Sequence, residues 1–93
     1  MIVSFACRKT ERLWQRRRDH GLPPQIGRVA LRKLTQLHRS RELRDLMLPP
    51  GNHLEALRGD RTGQHSIRVN VQWRLCFRWH EVDAYDVEIA DYH

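Results

Sequence analysis

From His65 to His80 the chain alternates between apolar and polar residues so strictly that few folds remain open to it. His65, Ile67, Val69 and Val71 share one parity, with Ser66, Arg68 and Asn70 on the other. Trp73, Leu75, Phe77 and Trp79 then alternate with Arg74, Cys76, Arg78 and His80. β-Branched and aromatic residues at every second position are the mark of half-buried antiparallel strands. The odd positions are expected to bury, and the even positions to form a basic surface.

Parity also restricts the pairing, because both strands bury odd positions and opposed residues must therefore have numbers with an even sum. A three-residue loop at Asn70, Val71 and Gln72 satisfies this and sets Val69 opposite Trp73 and Arg68 opposite Arg74. Two like charges directly opposed destabilise a sheet. Either an anion compensates them or the two long side chains splay into water. After Glu81-Val82-Asp83, residues Tyr85, Val87 and Ile89 again bury at odd positions, so a second three-residue loop is expected. That register sets Arg78 against Asp86, Cys76 against Glu88 and Arg74 against Ala90. Arg74 is then the arginine left free for a ligand.

The remaining chain supplies cover for this sheet. Ile2-Val3-Ser4-Phe5 reads as an edge strand, and a helix is expected from Thr10 to His20, stopped by Gly21. Arg16, Arg17 and Arg18 would lie on its exposed side. Pro23 and Pro24 suit a first helical turn, after which Ile26, Val29, Ala30, Leu34 and Leu37 recur at helical spacing. Arg28, Arg32, Lys33 and Arg39 fall mostly outside that apolar stripe. Leu48-Pro49-Pro50-Gly51-Asn52 breaks the chain, strands resume near Leu54, and Gly59-Asp60-Arg61-Thr62-Gly63 forms a turn.

Residues 1–93 suit a single domain. There are seventeen Lys+Arg against eleven Asp+Glu, a net charge of +6. All of the basic residues but Lys9 and Lys33 are Arg, whose planar fork suits phosphate, so a nucleic acid or an acidic protein is the expected partner. No run approaches the roughly 18 apolar residues of a membrane span, and Met1–Cys7 is too short for a signal peptide. Cys7 and Cys76 fit free thiols better than a disulfide framework, and the six histidines show no metal-ligand spacing. Neither a metal nor another cofactor is expected.

The stretch LPPGNHLEALRGDRTGQHSIRVNVQWRLCFRW, with the terminal ADYH, resembles the HigB toxins of the RelE/ParE superfamily. The likeness extends to MIVSF and LPPQIGRVALRKL and so covers nearly the whole chain. It implies an α+β RelE-like microbial RNase fold, with two N-terminal helices packed on a small twisted antiparallel sheet, and a cytoplasmic toxin neutralised by a HigA-type antitoxin. That antitoxin carries a helix-turn-helix domain, through which alone the toxin would reach operator DNA. Family members cut mRNA in the A site of the 70S ribosome. By the same resemblance, Arg74 matches the phosphate-stabilising arginine, Asp91, Tyr92 and His93 match the C-terminal catalytic trio, and Arg58 takes a basic position ahead of the GDR turn. A histidine of some relatives corresponds here to Glu55. Either Glu55 replaces it as a base or the site leans on His93; His53, two positions away, is not assigned the role.

Metal-free RNA cleavage by the 2′-hydroxyl needs a base, an acid for the departing 5′-oxygen, and positive charge on the phosphorane. A histidine such as His93 exchanges protons near neutral pH. Arg74 supplies permanent charge, Arg58 a second cation, and Tyr92 a stacking surface or a proton. Asp91 shares the parity of Ile89, so it is expected to point toward the packed side and to orient its neighbours. Arg61 and Arg68, with Arg16–Arg18, Arg28 and Arg32, are the candidate contacts to mRNA and ribosomal RNA. Two rival readings are a ParE-like gyrase poison without enzymatic activity and an RNA-binding module weakened in catalysis.

Overall fold

The structure is a computed structural model and describes residues 1–92. The role expected of His93 lies outside the described residues. Two helices, α1 (Arg8–Trp14) and α2 (Pro24–Arg39), precede four strands: β1 (Glu55–Ala56), β2 (His65–Arg68), β3 (Trp73–His80) and β4 (Asp83–Asp91). The strands form one antiparallel sheet in chain order, and both helices lie against it. This is the expected α+β architecture.

The β2–β3 hairpin has the register that parity requires. Ile67 opposes Leu75, Arg68 opposes Arg74, and the Val69 N–H reaches the Trp73 carbonyl at 2.9 Å across the loop. Ile67, Leu75 and Phe77 are fully buried beneath Ile26, Ala30, Leu34 and Leu37 of α2, so the two periodicities meet in one core. Val71, expected inside, is 86% exposed because it sits at the loop tip beyond the last ladder pair. The opposite face is not wholly a basic surface either: Ser66, Cys76 and Ala90 are buried there.

The β3–β4 hairpin corrects the second loop. Glu81 and Val82 make a two-residue turn, with Glu81 left-handed (φ 57°) and His80 opposite Asp83. This shortens the expected loop by one residue. A bulge at Asp86 (φ 52°) puts the residue back, so Cys76 still faces Glu88 and Arg74 still faces Ala90. Between turn and bulge the parity is reversed: Ala84 is buried, Tyr85 is only half-buried, and Arg78 opposes Tyr85 rather than Asp86. Arg78 nonetheless pairs with Asp86, its Nε lying 3.4 Å from the carboxylate.

The N-terminal segment lies parallel to β4, bridging at Ile2–Ala84 and Phe5–Val87. The first helix stops far short of Gly21. Arg16 adopts a left-handed conformation (φ 62°), its N–H bonding the Leu13 carbonyl while the Arg17 N–H reaches back to Arg12. This is the two-bond helix terminator usually built on glycine. Arg16 holds it by stacking 5.1 Å over the Trp14 ring and donating to the Trp14 carbonyl at 2.7 Å. Arg16–Arg18 therefore follow the helix instead of lining its outer face.

The buried Thr10 hydroxyl accepts the Ile89 N–H at 2.8 Å and so pins α1 to β4. Replacing Thr10 by Val keeps the shape and strands a buried donor, at a cost of about 1–3 kcal/mol. Denaturant unfolding should show that loss for Thr10→Val and most of the stability kept in Thr10→Ser. An unchanged midpoint for Thr10→Val would show that this bond carries nothing.

Candidate active site

At the β1 end of the sheet, His53, Glu55, Arg68, Asn70, Val71, Arg74 and Tyr92 surround a cleft of about 360 Å³. The arginine the pattern left free is not free. Arg74 Nε donates to Ser66 Oγ at 2.7 Å, and Nη2 donates to the His53 carbonyl at 2.7 Å and lies 3.2 Å from Glu55 Oε1. Parity fixed its neighbour across the ladder correctly but could not register partners from β1 and the preceding loop. Arg68 lies directly opposite and, among the described residues, forms no ion pair. Two permanent cations thus line one cleft with one carboxylate, that of Glu55, among its described lining residues, an arrangement that an anion such as phosphate would balance.

Each wall has its own anchor. The loop before β1 is built on Asn52, which is fully buried on Lys33 and Gln36 of α2. Its amide nitrogen donates to Gln36 Oε1 at 3.1 Å and to the Leu46 and Leu48 carbonyls at 3.1 and 3.2 Å, and its oxygen accepts from Lys33. Burial draws the Lys33 pKa below its ordinary value. Directly after this anchor, His53 takes a left-handed conformation (φ 45°, ψ 57°) and lines the cleft. On the far wall, Asn70 Oδ1 accepts the N–H groups of Gln72 and Trp73, closing the loop as an Asx turn. The Gln72 carbonyl then accepts the Tyr92 N–H at 2.6 Å, and its side chain donates to Asp91 Oδ2 at 3.0 Å. Gln72 thereby fixes the chain end that carries Tyr92.

Burial, together with the charges of Cys76 and Glu55, raises the Tyr92 pKa above the ordinary phenol value, against the pull of Arg61 and Arg74. The phenol therefore keeps its proton throughout the neutral range. Asp91, expected on the packed side, is exposed, because Ile89 is the last core residue of β4 and the strand runs on past it.

The other candidates separate. Arg58 is exposed ahead of the Gly59–Arg61 turn and does not line the cleft. Arg61 is engaged with Glu88 at 2.8 Å and Gln64 at 3.1 Å, and its hydrogen bond to Glu88 raises its pKa further. Arg16, Arg17, Arg18 and Arg28 surround a second depression beside Leu13 and Leu31, although Arg17 already pairs with Asp19. Arg32 lines a third, with Gln36, Arg39 and Asp45. Among the described residues no three His, Cys, Asp or Glu side chains converge as a metal site requires. None of the helices is long and apolar enough to cross a membrane.

His53, Asn52, Ser66, Asn70, Val71 and Gln72 are site residues that sequence reasoning did not select. Gln72 had a signal in the turn-forming Asn70 two positions earlier. The role of His53 depends on a backbone conformation with no counterpart in the pattern.

A family model described as the RelE-like toxin of the type II toxin-antitoxin system HigB matches residues 3–93. The chain belongs to this family. It is 39% identical over 80 residues to Toxin HigB-1 of Vibrio cholerae, covering 85% of this chain and 84% of that one. It is 33% identical over 94 residues to Endoribonuclease HigB of Proteus vulgaris, with both chains covered completely. Among solved structures, a YoeB/ParE toxin from Agrobacterium tumefaciens shares the fold, with a TM-score of 0.57 and 17% identity over 99% of this chain and 98% of that one. As a HigB-family toxin of a type II system, the chain has a cognate antitoxin as its partner.

In this HigB-family chain Cys76 is fully buried, and burial raises its pKa above 9.0. The folded protein then holds a proton that the unfolded chain releases. The resulting stabilisation is complete below about pH 9 and is lost as pH rises through the folded value. At pH 8, Cys7 should react with a thiol reagent at least about ten times faster than Cys76, the difference vanishing in denaturant. Equal rates in the folded protein would contradict the burial of Cys76.

Proposed function

We propose that this chain is a ribosome-dependent endoribonuclease that cuts translated mRNA and arrests translation. The facing Arg68 and Arg74, beside a phenol held in its protonated form, are the observation that carries this reading. The name Endoribonuclease HigB, borne by the fully covered relative, supports it.

The scissile phosphate occupies the space between the two guanidiniums. Arg74, oriented by Ser66 and the His53 carbonyl, meets the charge that develops on the phosphorane without having to reorganise. Tyr92 delivers a proton to the departing 5′-oxygen. His93 adds a second proton-transfer group at the chain end, and Asp91 orients that end. Arg58 contributes long-range attraction for the mRNA, and Arg61 braces the sheet through Glu88. The ribosome holds the mRNA bent in its A site, so that the toxin adds only charge and proton transfer. Arg16–Arg18 and Arg28, with Arg32 on a neighbouring surface, grip ribosomal RNA through phosphate contacts that weaken with salt. The toxin acts in the cytoplasm. Its antitoxin is of the helix-turn-helix HigA type, through which alone it meets operator DNA.

Mapping the 5′ ends of a reporter mRNA tests this in three reactions: with translating ribosomes, without ribosomes, and with ribosomes plus Arg74→Ala. Codon-phased cuts confined to the first are expected, with Arg74→Ala slower by at least about 100-fold. An absence of cuts in all three, accompanied by growth arrest and DNA-damage signalling in cells, would overturn the nuclease reading in favour of gyrase poisoning.

A further inference from the structure

We infer that His53 is the base that takes the 2′-hydroxyl proton, an inference that rests on the nuclease reading above. Glu55, the residue aligned with the histidine of some relatives, has its carboxylate 3.2 Å from Arg74 Nη2. It serves the guanidinium. Among the described residues lining the cleft His53 is the one histidine, and it is exposed.

The backbone at His53 shows that this placement is built. A left-handed conformation is uncommon outside glycine, and a strained residue persists only where its surroundings over-determine it. Here they do. The His53 N–H bonds the Pro50 carbonyl at 3.1 Å, the preceding Asn52 is locked by four partners, and the His53 carbonyl is held by Arg74. The guanidinium that lines the cleft thus also holds the backbone from which the imidazole projects.

Neutral His53 removes the proton from O2′, which bonds to phosphorus while the bond from phosphorus to O5′ breaks. O5′ takes the Tyr92 proton, and the products are a 2′,3′-cyclic phosphate and a 5′-hydroxyl. The imidazolium then returns its proton through water to the phenolate, restoring both groups. The charged and titratable groups facing His53 are Glu55 of β1, Arg68 of β2, Arg74 of β3 and Tyr92 beyond β4.

The test is single-turnover cleavage on mRNA-programmed ribosomes with toxin in excess, followed from about pH 5.5 to 8.5 across the range in which an imidazole titrates. His53→Asn keeps both the tolerance for left-handed backbone and the carbonyl that Arg74 holds. It should cut at least about 100-fold more slowly and lose the fall in rate at acid pH. His53→Gly should regain activity when imidazole is added. Glu55→Gln, which alters the rate through Arg74, should keep the acid limb. If His53→Asn cuts within about threefold of the wild type on the same pH profile, or if Glu55→Gln abolishes the acid limb, the assignment is overturned. Wild-type toxin that yields no product at any pH would instead sink the nuclease reading beneath it.

Discussion

The guanidinium of Arg74 ties three neighbouring pieces of chain together at one point. It bonds Ser66 on the neighbouring strand, the His53 carbonyl in the loop before β1, and the Glu55 carboxylate of β1. β1 is only two residues long and pairs only with β2, so the ladder alone would hold it weakly. Arg74 adds a second tie, reaching from β3 to Glu55 and the His53 carbonyl on the rim of the cleft. Its charge is permanent, so these contacts persist across the whole working pH range.

The anchors behind this guanidinium reach into the core. Buried Asn52 ties the His53 loop to α2, and α2 rests its apolar stripe on the same β2–β3 strands that carry Ser66 and Arg74. Packing on one face of the sheet thus sets the position of polar groups on the other. Gln72 does the equivalent for Tyr92, from a loop whose length the strand parity dictates. The polar site is costly in isolation, since two cations face each other across the ladder. It is tolerated because the apolar core beneath fixes the register that creates it.

Much of this was legible in the sequence. The alternation from His65 to His80 gave the strands, the Arg68–Arg74 pairing and the first loop, because burial of one face permits only one register. The stripe from Ile26 to Leu37 gave α2. The errors are local and physical. A helix terminator built on Arg16, in place of Gly21, ended α1 early, since stacking on Trp14 offset the cost of the left-handed arginine. A tight turn at Glu81 and a bulge at Asp86 cancelled each other, so the distal register was predicted correctly through two unseen irregularities. Contacts between non-neighbouring segments were not legible: parity describes one ladder, whereas the partners of Arg74 come from outside it.

The most direct test of the central claim is a structure of the toxin on a 70S ribosome carrying A-site mRNA whose attacking 2′-hydroxyl is methylated. The account predicts the scissile phosphate between Arg68 and Arg74, with the blocked 2′-oxygen turned toward His53 and Tyr92 near the 5′-oxygen. Scissile phosphate seated instead on the Arg16–Arg18 and Arg28 surface, with the Arg74 cleft empty, would contradict it.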